Sequence, residues 1–255
     1  SLRTRSSFEL AIHQLGGHCL YLGPSEVSLG TRETVADVTK VLSRYVDCIV
    51  ARVFSHATLV EMATNATVPV INALSDWEHP CQTLADLQTV HQYKGTCRGF
   101  KISYIGDGNN VARSLCLGAS SIGCNFTIAT PTAYTLDDPT LELAKGIAAK
   151  QNSTIECFTS PDEAVRGADV VYTDVWTSMG QEKESKKRVQ SFQGYMVDPQ
   201  LLSKANRDAL FMHDMPAHYG EEVPDGMLDH PQSVAFQQAE NRLHAQKALL
   251  ELLLG

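Results

Sequence analysis

Arg52, His79, Gln82, Asp174 and Asp214 each stand at or just beyond the end of a short β-branched run. These side-chain types can hold an anion, polarise a carbonyl or grip an ammonium. Arg52 closes one run; Asp76, His79 and Gln82 follow a second, and Asn109 and Asn110 a third. Asp174 and Ser178-Met179-Gly180 follow a fourth, and His213-Asp214-Met215-Pro216 a fifth. In parallel sheets the ligand crevice lies at the carboxyl ends of the strands. Polar groups at strand ends in both halves of the chain therefore point to a cleft between two domains.

The opening Ser1-Leu2-Arg3-Thr4-Arg5 precedes an amphipathic stretch through Phe8, Ile12 and Leu15. Hydroxyls, free N–H groups and arginines at a helix start make an anion site, strengthened by the helix dipole. The same segment also reads as an ordinary N-cap with a surface arginine pair, and by itself it does not decide between the two. His79-Pro80-Cys81-Gln82 sets a donor imidazole and a donor amide one turn apart, which is equally compatible with a cap. Gly106-Asp107-Gly108-Asn109-Asn110 follows a strand and opens a helix, as a dinucleotide site would. It lacks the third glycine, and the next run ends in Thr130-Pro131 rather than in an acid for a ribose hydroxyl. A nucleotide is a poor fit.

These residues need elements to position them. The β-branched runs 46–52, 68–74, 101–107, 125–131, 154–160, 168–175 and 210–215 alternate with helix-period stretches, the pattern of parallel α/β units. Val35, Val38, Val41, Leu42 and Tyr45 recur at three- and four-residue steps and predict one apolar stripe on a sheet. The helix 82–93 links two halves. The last helix, from about Gln238, carries Ala239, Leu243, Gln246, Leu250 and Leu253 as its stripe. The expected fold class is α/β: two doubly wound parallel-sheet domains with the ligand cleft between them, the N-terminal one incomplete. Residues 1–92, 93–236 and a helix 237–255 packing back on the first domain are the expected parts.

With 255 residues, 43% of them hydrophobic and 20% charged, the chain is no disordered polymer. Its net charge of −8 gives nothing basic enough to track a duplex, so no nucleic-acid partner is expected. Lys183, Lys186, Lys187 and Arg188 cluster, but Glu182 and Glu184 lie among them and predict a solvated helix face. The seven cysteines are scattered without a Cys-x-x-Cys pair, which indicates neither a disulfide framework nor a zinc site and fits a reducing compartment. The leucine-rich tail 249–254 is far short of a membrane span. No metal and no membrane partner are expected.

Taken together, the segments resemble the transcarbamoylases (the aspartate/ornithine carbamoyltransferase family), and within it the ornithine branch. The carbamoyl-phosphate motif Ser-Thr-Arg-Thr-Arg is matched by Ser1-Leu2-Arg3-Thr4-Arg5, the strand-end arginine by Ala51-Arg52-Val53, and His-Pro-x-Gln by His79 to Gln82. The ornithine branch adds Gly-Asp-Gly-Asn-Asn, an Asp-x-Trp-x-Ser-Met-Gly-Gln loop and Glu-Asn-Arg, matched at 106–110, 174–181 and 240–242. The six motifs run in matching order from one end of the chain to the other.

That resemblance implies carbamoyl transfer from carbamoyl phosphate to L-ornithine, with no cofactor. It assigns Ser1, Leu2, Arg3 and Thr4 to the phosphate, and Arg52, His79, Gln82 and Arg242 to the carbamoyl end. Arg52 would stabilise the oxyanion. Asn110, Asp174, Ser178, Met179, Asp214 and Met215 would grip ornithine, with Asp174 on its α-ammonium. The resemblance also implies a homotrimer or assembly of trimers, with Ser28 near a neighbour's phosphate. It implies a cytoplasmic enzyme (mitochondrial matrix or plastid in a eukaryote), and a first helix and strand before Ser1.

Three positions depart from the family. Leu2 replaces a threonine, and Ser28 stands where glutamine or histidine is usual. Asp214 replaces the cysteine of His-Cys-Leu-Pro, which lies beside the attacking amine. A carboxylate there raises the amine's pKa and depletes the nucleophile. Three readings follow: a working ornithine carbamoyltransferase with altered rate or pH optimum, a carbamoyltransferase for another amine, or an impaired or inactive homologue kept as a binding or assembly subunit.

Overall fold

The computed structural model describes residues 2–178 and 180–255. Two compact units form: Ser1–Cys81 with Arg242–Gly255, and Gln82–Asn241. The division falls inside two helices, Pro80–Lys94 and Ala235–Leu254, whereas the sequence suggests breaks at 92/93 and 236/237.

In the first unit, β1 (Ile49–Arg52) and β2 (Val70–Leu74) pair in parallel, joined by the helix His56–Asn65. Successive side chains of a strand point to opposite faces. Ile71 and Ala73 accordingly pack with Phe8, Ala11 and Leu250, while Val70 joins Val35, Ala51, Leu59 and Met62. The C-terminal helix thus supplies Leu250 to the same core as the first helix, Leu2–Gln14.

The second unit has β3 (Lys101–Ile105), β4 (Asn125–Ala129), β5 (Ile155–Phe158), β6 (Val170–Thr173) and β7 (Leu210–His213), in the order β5-β4-β3-β6-β7 and all parallel. Tyr104, Tyr172 and Met212 face one core; Ile105, Val171 and Phe211 face the other. A sheet covered on both faces explains why these strands read as continuous apolar runs. Chain order reverses on either side of β3. The loops after β3 and β6 are therefore the topological switch point, where ligands of open α/β sheets bind.

All seven expected strands form, each shorter than its β-branched run. The third, expected to reach residue 107, stops at Ile105 because Gly106 turns the chain at φ 145°. Three packing expectations are corrected. Val41 is exposed although it lies within the helix Val35–Leu42, and Tyr45 is exposed because that helix ends before the stripe reaches it. Leu253 lies outside the buried stripe of the last helix. Arg188 is buried rather than solvated, because it has an internal carboxylate partner.

Gly108 allows a close approach. A Cβ there would lie 2.6 Å from the backbone of Thr135 and Leu136, and its N–H donates to Tyr134 O at 2.8 Å. Gly108→Ala is expected to cost about 1–3 kcal/mol through forced separation of the two loops. An unchanged denaturant midpoint would contradict this.

Candidate functional site

In the first unit, Arg52 ends β1 and its Nη1 donates to Thr4 Oγ1 at 3.0 Å. Arg242 Nη2 reaches the same hydroxyl at 3.4 Å. Two guanidinium groups thus converge on a buried threonine in the first turn of the helix Leu2–Gln14. His79 is buried too. Burial, and then the positive charges of Arg242 and Arg52, push its pKa well below 6.5, so the imidazole is a neutral hydrogen-bonding group at neutral pH. Fixed positive charge beside free helix N–H groups suits a phosphorylated anion.

The motif's other members diverge. Leu2 is exposed and Arg3 half-buried. Arg5 pairs with Glu9 at 3.4 Å and stacks over Tyr21 at 3.9 Å. Ser28 is the left-handed cap of the short helix Pro24–Val27, with φ 46°. Ser1 lies outside the described residues, as does Met179.

In the second unit, Asn109 organises the switch point. Its Oδ1 caps the helix Asn110–Ile122 by accepting from Val111 and Ala112 N–H. Its Nδ2 donates to Asp174 Oδ2 at 2.9 Å and to Ser178 Oγ at 3.5 Å. Asn110, the residue expected to bind from the sequence, is the first of the helix itself. Burial raises the Asp174 carboxyl well above its usual range, and Asp214 raises it further, against the Asn109 hydrogen bond. A ligand ammonium placed there would relieve that opposition.

Arg188 ties both switch-point loops together. Its Nη1 donates to Asp107 Oδ2 at 2.8 Å and to Trp176 O at 3.0 Å, and its guanidinium lies 4.9 Å from the Tyr134 ring centre. Burial still leaves Asp107 raised to about 6, although Arg188 lowers it.

The loop after β7 rests on a second network. His213 Nδ1 accepts from Met215 N at 2.8 Å, which assigns the ring proton to Nε2, 3.1 Å from Glu222 Oε1. His213 N donates to Gln238 Oε1 at 2.9 Å. Gln238 Nε2 in turn donates to Asp86 Oδ1 at 2.7 Å, as Gln82 Nε2 does at 2.8 Å. Tyr172 OH donates to Asp86 Oδ2 at 3.2 Å. Burial pushes Asp86 up to about 7; the Gln82 hydrogen bond lowers it and the Asp214 charge raises it.

Among the described residues, His218, Glu221 and Glu222 place one possible metal-ligating atom each within 4.8 Å of one another. Glu222 Oε1 already accepts from His213 and from His218 N at 2.5 Å, so the group reads as a support for the β7 loop. Asp86, Arg188, Glu222 and Gln238 are positioning residues that sequence reading misses, and for Asn109 it finds the strand-end position but not the bond to Asp174. Only the four-residue step from Gln82 to Asp86 could have been seen; Asp107 and Arg188 meet from 81 positions apart.

Comparison with known proteins follows the same division of labour. Residues 1–92 match the carbamoyl-P binding domain of aspartate/ornithine carbamoyltransferase, and residues 98–253 match its Asp/Orn binding domain. An ornithine carbamoyltransferase from Thermococcus kodakarensis is 51% identical over 255 residues, all of this chain and 81% of that protein. An anabolic one from Pyrococcus furiosus is 50% identical over the same span, again 81% of its length. The solved structure of ornithine carbamoyltransferase from Pyrococcus furiosus superposes with a TM-score of 0.97, covering 100% of this chain and 82% of that one. Among the described residues no helix is long and apolar enough to cross a membrane.

Proposed function

Because the chain belongs to the aspartate/ornithine carbamoyltransferase family, we propose that it transfers the carbamoyl group of carbamoyl phosphate to the δ-amine of L-ornithine. The products are L-citrulline and phosphate, and the step serves arginine synthesis, as the anabolic relative's name suggests. The observation that carries the ornithine assignment is Asp174, buried and held by Asn109 beside Ser178, an acceptor site for one α-ammonium.

Thr4, Arg52 and Arg242 hold the phosphate and carbamoyl oxygens, with Ser1, Leu2 and Arg3 contributing at the helix start. Neutral His79 donates to the carbamoyl oxygen, and Gln82 binds the carbamoyl amino group. Asp174, Asn110, Ser178, Met179 and Met215 orient the amino acid. The lone pair of the neutral δ-nitrogen forms a bond to the carbamoyl carbon. Negative charge gathers on the carbamoyl oxygen, where Arg52 stabilises it. The carbon–oxygen bond to phosphate then breaks, phosphate leaves with the electron pair, and the nitrogen passes its extra proton to the departing phosphate. Positioning and fixed charge suffice for this step.

The homotrimer is part of the same proposal, with Ser28 reaching a neighbouring copy. So is a cytoplasmic setting, supported by seven cysteines that are all free. A silent binding or assembly subunit is not favoured, because half the residues along the entire chain are shared with relatives named for the enzyme.

Asp214 tunes the reaction. Its carboxylate favours the ammonium form of the δ-amine, so the rate should rise toward alkaline pH. Asp214→Cys removes that charge, lowers the amine's pKa, and is expected to move the rate–pH curve to lower pH with more citrulline formed per second at pH near 7. An unshifted curve would show that Asp214 does not face the amine. No citrulline from the wild-type protein at any pH would sink the activity itself.

A further inference from the structure

We propose that Asp86 is a positioning residue whose carboxylate sets the amide orientation of Gln82 and, through Gln238, ties it to the base of the Asp214 loop. The inference rests on the carbamoyl-phosphate reading of Gln82 given above and assigns a role to a residue outside all six motifs.

The argument begins with helix geometry. Gln82 and Asp86 lie four positions apart on the helix Pro80–Lys94, hence on one face. A glutamine amide can turn over, exchanging its donor end for its acceptor end at similar shape. Here Asp86 removes that freedom. Its Oδ1 accepts from Gln82 Nε2 at 2.8 Å, so the NH2 end is held toward the carboxylate and the Oε1 end is turned away from it. A carbamoyl amino group is a donor, and it needs that acceptor.

The same oxygen accepts from Gln238 Nε2 at 2.7 Å, which fixes the second amide in the same sense. Gln238 Oε1 must then face the other way, where it accepts the N–H of His213 at 2.9 Å. That residue is the last of β7 and immediately precedes Asp214. Tyr172 OH fills the remaining side of the carboxylate at 3.2 Å. Asp86, Tyr172 and Gln238 are all buried, and so is Gln82. At such burial an amide left without its acceptor is costly. One acidic side chain thus orients Gln82 directly and, through Gln238, braces the strand end that precedes Asp214.

The test is a mutant cycle read by carbamoyl-phosphate binding, with turnover measured alongside. Asp86→Ala is expected to weaken carbamoyl-phosphate binding, measured calorimetrically without ornithine, by roughly ten- to a hundredfold. Asp86→Asn keeps an Oδ1 acceptor for both glutamines and can turn its NH2 to the Tyr172 oxygen; it should restore most of that affinity. In the Gln82→Ala background, Asp86→Ala should cause little further loss, because the group it orients is gone. A merely structural role would instead give additive losses that track the fall in Tm. Additive losses, or an Asp86→Asn protein as weak as Asp86→Ala, overturn the proposal. If Asp86→Ala does not fold, the Asp86→Asn comparison alone decides: tenfold or greater loss counts against the proposal and near wild-type affinity supports it. Wild-type binding without citrulline would refute the proposed activity while leaving this cycle readable. No wild-type binding would refute both.

Discussion

Arg52→Met is expected to lower citrulline formation by about 10²- to 10³-fold, the usual cost of removing one donor from a developing oxyanion. The arginine ends β1, and its guanidinium donates to Thr4 at 3.0 Å, so it is held before any ligand arrives. Preorganised charge acts mainly on the transition state. The loss should therefore fall chiefly on kcat, with a smaller rise in the KM for carbamoyl phosphate. Methionine keeps most of the side chain's volume, and Arg242 still reaches Thr4, so the fold should persist. Because Arg52 helps to depress the His79 pKa, its removal lets that pKa rise, though burial, the larger cause, continues to hold it down. A loss of less than tenfold in kcat would remove Arg52 from the oxyanion.

The largest stability effect should come from Arg188→Met. Breaking a buried ion pair by removing one partner typically costs about 3–5 kcal/mol, because a buried charge is left uncompensated. For a chain of this length that corresponds to a fall in Tm of roughly 6–20 °C. Here the lost partner also held Trp176 O at 3.0 Å and covered Tyr134, so both switch-point loops lose their tie. The penalty should depend on pH. Asp107 stands at about 6 with Arg188 in place, above its ordinary 3.8, and without Arg188 it must rise further. A carboxyl raised in the folded state binds protons there in preference to the unfolded chain. Its stability is therefore retained at low pH and lost as pH rises through the folded value. The Arg188→Met protein should be close to wild type in stability near pH 4 and markedly weaker near pH 8. A penalty that does not change across that range would show that the ion pair is not what holds the loops. The KM for ornithine should rise in the same protein, since Asp107 and Trp176 flank the Asn109–Asp174 pair in sequence.

Sequence and tertiary structure divide this protein in a way that follows from the range of the interactions involved. Alternating β-branched runs and helical periods reveal the parallel α/β class, because both signals are local and repeat within a few residues. The motif residues Thr4, Arg52 and His79 can also be picked out from the chain alone, since each is a distinctive type at a strand or helix end, whereas Arg242, inside the last helix, is picked out only by the Glu-Asn-Arg motif. What they do to one another cannot. Arg242 meets Thr4 from 238 positions away, and the His79 pKa is set by burial and by charges that only folding brings near. The reading of Arg188 as a surface charge failed for the same reason: its neighbours in sequence are acidic, but its partner Asp107 arrives from another loop. Helix ends caused the smaller errors, at Tyr45 and Leu253, where an apolar period outlasts the packed part of its helix. The sequence by itself determined the fold class, the family and most of the groups that could meet the two substrates. Only the tertiary structure decided which carboxyls resist ionisation and which amides are turned the right way. Burial and long-range pairing set those properties, and neither is encoded in any short stretch of chain.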